Sequence, residues 1–426
     1  MKPFHYRDGE LFCEETAVSE IAGEVGTPFY LYSRKQLEYN YHQIKEALGR
    51  TDHLICYALK ANANPALLRI LAGINCGAEV VSGGELQLAV KSGMDPERIV
   101  FSGVGKTDRE IEEAIGKHIF SINVESIEEL KIVSQLASQL GRKARVAIRV
   151  NPDIDANTHP YIATGLRESK FGIDPAHSEE AFQLASSLPA IELKGIHCHI
   201  GSMITEIDPF LRAIQSLVKT VENLKTSGIF LSHIDIGGGV GIDYTQIVDT
   251  DSKAETGKPS VVSPKELFSA ILPLIRQTGL KLLFEPGRLL VGDTAVLITR
   301  VLFKKKSDVK NFTIVDAGMS DLIRPALYDA YHQVITVKHA SEATEEASIV
   351  GPICESGDFL ARDRILPNVK RRDLLAITGT GAYGFVLSSN YNGRPKPPEI
   401  LVEGKSYRII RKRENNATLW RGTELE

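Results

Sequence analysis

Between positions 53 and 285 short apolar runs alternate with stretches in which apolar residues return every three or four positions. The runs predict eight strands, at 54–59, 78–81, 99–102, 119–123, 144–150, 194–200, 231–237 and 281–285. Helical periodicity fills the gaps, as in Asn64 to Leu71, Ser82 to Ser92, Asp108 to Ile115, Ser126 to Leu140 and Pro209 to Thr226. Eight alternating units fit a (β/α)8 TIM-like barrel, although an open doubly wound sheet uses the same alternation. The polar residues favour the barrel. Lys60, Glu79, Ser82, Gly103, Asn123, Arg149, His199, Gly237 and Glu285 fall at or just past the C-terminal ends of the expected strands, which in a barrel share one mouth.

After residue 290 the pattern turns β-rich (Ala295 to Phe303, Asn311 to Asp316, Ser348 to Cys354, Asp373 to Thr378, Glu399 to Ile410) and is broken by Gly, Pro and charged turns. The expected organisation is a barrel over residues 27–289 and an all-β domain, a sandwich or small barrel, formed by residues 290–426 with residues 1–26. Asp249 to Val262 reads as a polar surface insertion, and Asp155 to Lys170, with His159 and Gly165, as a candidate lid after the fifth strand.

Composition narrows the partners. The chain has 426 residues, long for a single ordinary core, with 50 basic and 54 acidic residues and a net charge of −4. No basic field points to nucleic acid or an anionic membrane, so small charged metabolites are the expected ligands. No run approaches the roughly 20 apolar residues of a membrane helix, and Met1-Lys2-Pro3-Phe4-His5 lacks a signal-peptide core, so a cytoplasmic protein is expected. Five cysteines, Cys13, Cys56, Cys76, Cys198 and Cys354, are scattered without a Cys-x-x-Cys pair, which argues against a disulfide framework or a zinc site.

Four segments carry candidate chemistry. Lys60 ends the apolar run Leu54-Ile55-Cys56-Tyr57-Ala58-Leu59, where a partly desolvated amine can attack an aldehyde and form an imine; a solvated strand-end lysine is the plain alternative. The run Gly237-Gly238-Gly239-Val240-Gly241 follows a strand and can offer backbone N–H groups to a phosphate, or can simply be a tight turn. Glu285-Pro286-Gly287-Arg288 pairs a carboxylate suited to a ring nitrogen with a guanidinium suited to an anion, unless the two form a local surface pair. His197 and His199 alternate onto one face of their strand; no acid lies close by in the sequence, so no metal is expected there.

In this order Tyr57-Ala58-Leu59-Lys60-Ala61-Asn62, His197-Cys198-His199-Ile200-Gly201-Ser202, Gly237-Gly238-Gly239 and Glu285-Pro286-Gly287-Arg288 resemble the decarboxylase branch of the alanine-racemase-like pyridoxal-phosphate enzymes, over nearly the whole chain. Arg324-Pro325-Ala326-Leu327-Tyr328, Gly351 to Asp358 and Gly381-Ala382-Tyr383 look like the members that act on meso-diaminopimelate. The resemblance implies pyridoxal 5'-phosphate held on Lys60 as a Schiff base, with His199 stacked on its ring and His197 in support. Ser202, Gly238, Gly239, Gly287, Arg288 and Tyr383 would hold the rest of the cofactor, with Glu285 at the pyridine nitrogen. It also implies substrate contacts from Arg288, Arg324, Tyr328, Glu355 and Tyr383, a proton donated by Cys354, and a homodimer whose subunits share their active sites. The product would be L-lysine. Sister decarboxylases of ornithine, arginine, lysine or carboxynorspermidine, a racemase and a non-catalytic cofactor-binding homologue are the competing readings; Glu285, in place of the arginine that racemases of this group use, disfavours the racemase.

Overall fold

The computed structural model describes residues 2–155, 164–165, 168–248, 261–339 and 343–424. Most of the 249–262 insertion and part of the 155–170 segment therefore lie outside the described residues. The chain forms two compact units: Asn40–Ile242 with Pro259–Leu289, and Met1–Tyr39 with Asp243–Lys258 and Leu290–Glu426.

The first unit is a closed barrel of eight parallel strands: His53–Ala58, Gly77–Val80, Ile99–Phe101, Ser121–Val124, Ala144–Arg149, Ile191–His197, His233–Asp235 and Lys281–Phe284. Nearly every strand residue is buried, as expected where strands are covered on both faces. Leu54, Cys56, Val100 and Leu283 pack inside the barrel against Phe120. Helix starts are set locally. Asn64 caps Pro65–Gly73, and capping boxes from Thr107–Glu110 and Ser263–Glu266 start Asp108–Gly116 and Pro264–Thr278. Gly279, in the left-handed conformation, ends the last of these and turns the chain into the eighth strand. Among the described residues no helix is long and apolar enough to cross a membrane.

The second unit holds a three-stranded antiparallel sheet (Phe4–Arg7, Glu10–Cys13, Thr16–Ala17) and a nine-stranded mixed sheet. Its organiser is the 12-residue strand Ala295–Lys306. Residues Ala295 to Ile298 pair with Phe29–Ser33, Val296 to Arg300 with Leu374–Thr378, and, past an irregularity at Val301/Phe303, the second half pairs with Asn311–Val315. The sequence division at residue 27 moves accordingly. Phe29–Ser33 is fully buried between Ala295–Lys306 and Glu399–Glu403, so this apolar run is a sheet strand of the second unit and not the barrel's lead-in.

Candidate active site

Lys60 sits in the single 3-10 turn Leu59–Ala61 that follows the first barrel strand. Its Nζ lies 2.9 Å from Oε2 and 3.0 Å from Oε1 of Glu79, at the end of the neighbouring strand. The carboxylate is fully buried and the lysine side chain 36% exposed, so the amine faces the mouth while its counter-charge stays inside. Burial raises the Glu79 carboxyl, and Lys60 opposes that effect. Tyr57 Oη donates to the carbonyl of Asn62 at 2.8 Å and fixes the chain just after the turn.

Glu285 follows the eighth strand, and its own N–H donates to Gly237 O at 2.8 Å. Its Oε2 stands 3.5 Å from His197 Nε2, an ion-pair distance and not a hydrogen bond, and its buried Oε1 has no partner among the described residues. Burial alone would raise this carboxyl, yet His197 and Lys60 hold it down to about 2. Asp235 lies beside it: the ligand atoms of His197, Asp235 and Glu285 are within 4.8 Å of one another. Burial and the charge of Glu285 push Asp235 well above the ordinary carboxylate range.

The glycine run works differently from its first reading. The N–H of Gly237 donates to Asp235 Oδ1 at 2.9 Å and that of Gly238 to His199 Nδ1 at 3.1 Å, so these two are engaged within the protein. Among the described residues the N–H groups of Gly239 and Gly287 donate to no backbone acceptor. What approaches the glycines so closely is other backbone: a Cβ on Gly238 would stand 2.1 Å from Glu285 O, and one on Gly239 2.2 Å from Gly201 O. His199, with Nδ1 accepting, is held neutral, because burial and the Lys60 and Arg149 charges lower its pKa far below the usual value. Arg288, buried, donates from Nη2 to Ser202 Oγ at 3.0 Å. That joins two of the expected anion-binding side chains across the mouth.

Arg149 is an anchor. It pairs with Glu125 at 2.9 Å, both nearly buried, and lies over the Phe171 ring. Glu125 in turn accepts from the N–H groups of Gly103 and Gly172.

The other expected residues belong to the second unit. Arg324 opens the short helix Arg324–Tyr328, is buried, and donates to His332 Nε2 at 2.8 Å while its guanidinium lies 5.0 Å from the centre of the Tyr244 ring. His332 Nδ1 lies 2.8 Å from Thr378 O, so Nδ1 carries the proton and Nε2 is free to accept from Arg324. Cys354 is exposed, at the tip of a loop braced by Asp358, whose carboxylate accepts from the N–H groups of Met319 and Ile353, each at 2.6 Å. Next to it, the Glu355 carboxylate raises the pKa of the Tyr391 phenol. Tyr383 has φ +57°, a left-handed backbone rare for an aromatic residue, in a turn flanked by Gly381 and Gly384.

One reading needs correction. His197 has acidic neighbours after all: Asp235 comes from the adjacent barrel strand and Glu285 from the end of the strand beyond it. Asp235 joins the site residues, and its one signal in the sequence is an acid within His233-Ile234-Asp235-Ile236 directly before the glycine run.

Residues 34–292 match the family described as pyridoxal-dependent decarboxylase, pyridoxal binding domain. A diaminopimelate decarboxylase of Aquifex aeolicus is 47% identical over 96% of this chain and 94% of its own, and one of Archaeoglobus fulgidus 46% identical over 98% and 97%. The solved structure of Helicobacter pylori diaminopimelate decarboxylase complexed with L-lysine superposes with a TM-score of 0.89 at 42% identity, covering 95% of this chain and 98% of that one.

Proposed function

Since the chain belongs to the pyridoxal-dependent decarboxylases, we propose that it converts meso-2,6-diaminopimelate to L-lysine and carbon dioxide, the step that ends lysine biosynthesis. What carries the reading is likeness over nearly the full length to enzymes named for that substrate. The residues suit pyridoxal phosphate. There is a primary amine at a strand end, a buried carboxylate oxygen without a partner among the described residues, a neutral imidazole, and a hydroxyl beside backbone N–H groups. When bound, the cofactor supplies an electron sink for the pair left at the α-carbon as carbon dioxide departs.

The chain's own residues do the rest. Lys60 Nζ would hold the cofactor, and Glu79 is placed to take a proton from that nitrogen and return it. His199 would pack flat on the ring without adding positive charge. Ser202, Gly239, Gly287 and Arg288 would hold the phosphate, Gly238 would fix the His199 ring through its N–H, Tyr383 would bind alongside, and Glu285 would accept from the ring nitrogen.

Diaminopimelate has a second amino-acid head. Arg324 suits its distal carboxylate, Glu355 its distal ammonium, and Arg288, Tyr328 and Tyr383 complete the substrate contacts. As the bond from the α-carbon to the carboxylate breaks, a proton must reach that carbon, and the Cys354 thiol would deliver it. In the homodimer we propose, the donor is the partner subunit's Cys354. A cytoplasmic location suits a soluble substrate of this kind.

Lysine, ornithine, arginine or carboxynorspermidine would offer Arg324 no second amino-acid head, so a sister decarboxylase is disfavoured. The test is carbon dioxide release from a panel of diamino acids with added pyridoxal phosphate. Strong preference for meso-diaminopimelate is expected, and comparable release from L-lysine or L-ornithine would overturn the reading.

A further inference from the structure

His197, Asp235 and Glu285 come from three adjacent barrel strands or strand ends and are 1%, 0% and 4% exposed. Two carboxyls within 4.8 Å of each other and buried repel strongly when both are ionised, which favours a proton on one of them. The geometry separates their roles. Asp235 Oδ1 is committed to the Gly237 N–H, and its buried Oδ2 meets no donor among the described residues. Glu285 turns Oε2 toward His197 Nε2 and keeps Oε1 without a partner there.

We infer that His197 and Asp235 are positioning residues for Glu285: Asp235 keeps the proton that repulsion between the two carboxyls favours, and His197 holds Glu285 as a carboxylate with Oε1 open to a protonated ring nitrogen. The inference rests on the role given to Glu285 in the proposed function. Other charged groups face the trio from the surrounding strands. Lys60 and His199 act on Glu285, Glu79 acts on Asp235, and Glu125 and His233 interact with His197. Burial and Glu285 drive Asp235 toward its neutral form, whereas His197 and then Lys60 oppose the effect of burial on Glu285. The same arrangement accounts for an acid buried inside a barrel strand: as a neutral group it costs far less to bury than an ion.

Infrared difference spectra of the cofactor-free protein at neutral pH test this directly, because a protonated carboxyl and a carboxylate absorb in separate bands. Wild type minus Asp235→Asn should contain an acid carbonyl stretch; wild type minus Glu285→Gln should contain the carboxylate bands of Glu285, and any acid stretch lost with them must return as a new Asp235 carboxylate band. An acid stretch that survives in Asp235→Asn, or one lost in Glu285→Gln with no carboxylate gained, overturns the assignment. Should Asp235→Asn fail to fold, His197→Gln serves in its place: it should gain an acid stretch as Glu285 takes up a proton, and no gain counts against the inference.

Reconstitution then tests the link to the cofactor. His197→Gln should bind pyridoxal phosphate about tenfold more weakly for each pH unit by which the Glu285 carboxyl comes to titrate above the working pH. Asp235→Asn, neutral and still able to accept from Gly237, should stay within about threefold of wild type. Unchanged affinity in His197→Gln, or a large loss in Asp235→Asn, would break that link. Absence of carbon dioxide release by the wild type would sink the proposed function and leave the infrared result standing.

Discussion

Lys60 Nζ lies 2.9 Å from Glu79 Oε2, and only one of the two side chains reaches solvent. The pair keeps an amine at the barrel mouth with a proton acceptor fixed beneath it, an arrangement suited to a lysine that must gain and lose a proton while it holds a carbonyl compound. Replacing Lys60 by Ala should abolish the visible absorbance that pyridoxal phosphate acquires on a lysine and lower turnover by at least about 10³-fold. Glu79→Gln keeps the amine, so the absorbance should remain while turnover falls by about 10²-fold. Absorbance spectra and carbon dioxide release on the same samples separate the two effects, and an unchanged spectrum in Lys60→Ala would remove Lys60 from its role.

Arg324 is held from two sides, by His332 and the Tyr244 ring, which leaves its guanidinium little freedom. A rigid fork suits a carboxylate, and an ammonium does not reproduce it. Arg324→Lys should therefore lower kcat/KM for meso-diaminopimelate by about 10–100-fold, mostly through KM. Steady-state kinetics check this, and an unchanged KM would count against a substrate role.

The strand ends were legible because a parallel barrel buries both faces of its strands, and the resulting apolar runs end abruptly at polar residues such as Lys60 and Glu285. Phe29–Ser33 was not legible as part of the second unit. Its partners, Ala295–Lys306 and Glu399–Glu403, lie more than two hundred positions away, and nothing local tells a sheet strand from a barrel lead-in. The trio of His197, Asp235 and Glu285 was hidden for the same reason, since each residue comes from a different strand. The glycine run was visible as a close approach, but the neighbour that makes it necessary, the Gly201 and Glu285 backbone, exists only in the fold.

Two glycines should fail in different ways. A Cβ on Gly195 would stand 2.1 Å from Nε2 of His233, whose ring is fully buried and is kept neutral by burial with a pKa near 3. Gly195→Ala should cost about 1–3 kcal/mol of stability from overpacking, read by denaturant unfolding. Gly239→Ala meets the Gly201 carbonyl at φ +98° and should disturb the loop that offers its N–H at the mouth, lowering cofactor affinity more than stability. Equal effects of the two on cofactor affinity would contradict this division.

Asp321 gives the second unit a pH dependence of its own. Burial raises its carboxyl to about 7, with Asp316 and Asp358 adding to the effect and the Gly318 N–H and Arg394 opposing it. The folded form therefore binds the proton more tightly than the unfolded chain does. Its stabilising contribution is complete below the unfolded value and is lost as the pH rises through the window from about 4 to about 7. Asp321→Asn can still accept from Gly318, so it should raise the melting temperature at about pH 8 and have little effect at about pH 4. Thermal melts at the two pH values decide, and a gain confined to low pH would reverse the sign.

Cys354 is the one exposed thiol among the five cysteines; Cys13, Cys56, Cys76 and Cys198 are buried, and burial pushes each of these thiols upward, Cys76 and Cys198 to about 12. A thiolate-directed reagent should therefore label native protein at Cys354 alone, and mass spectrometry of the digested product would locate it. Modification should abolish turnover while the cofactor's visible absorbance persists, because Cys354 is assigned to the proton and not to holding the cofactor. If the donor is the partner subunit's Cys354, two inactive proteins complement each other. Mixing Lys60→Ala with Cys354→Ala should give heterodimers in which one of the two shared sites has both residues intact, restoring about a quarter of wild-type activity at equal concentrations after random exchange. A donor from the same chain would leave every site in the mixture short of one residue, and no activity would return.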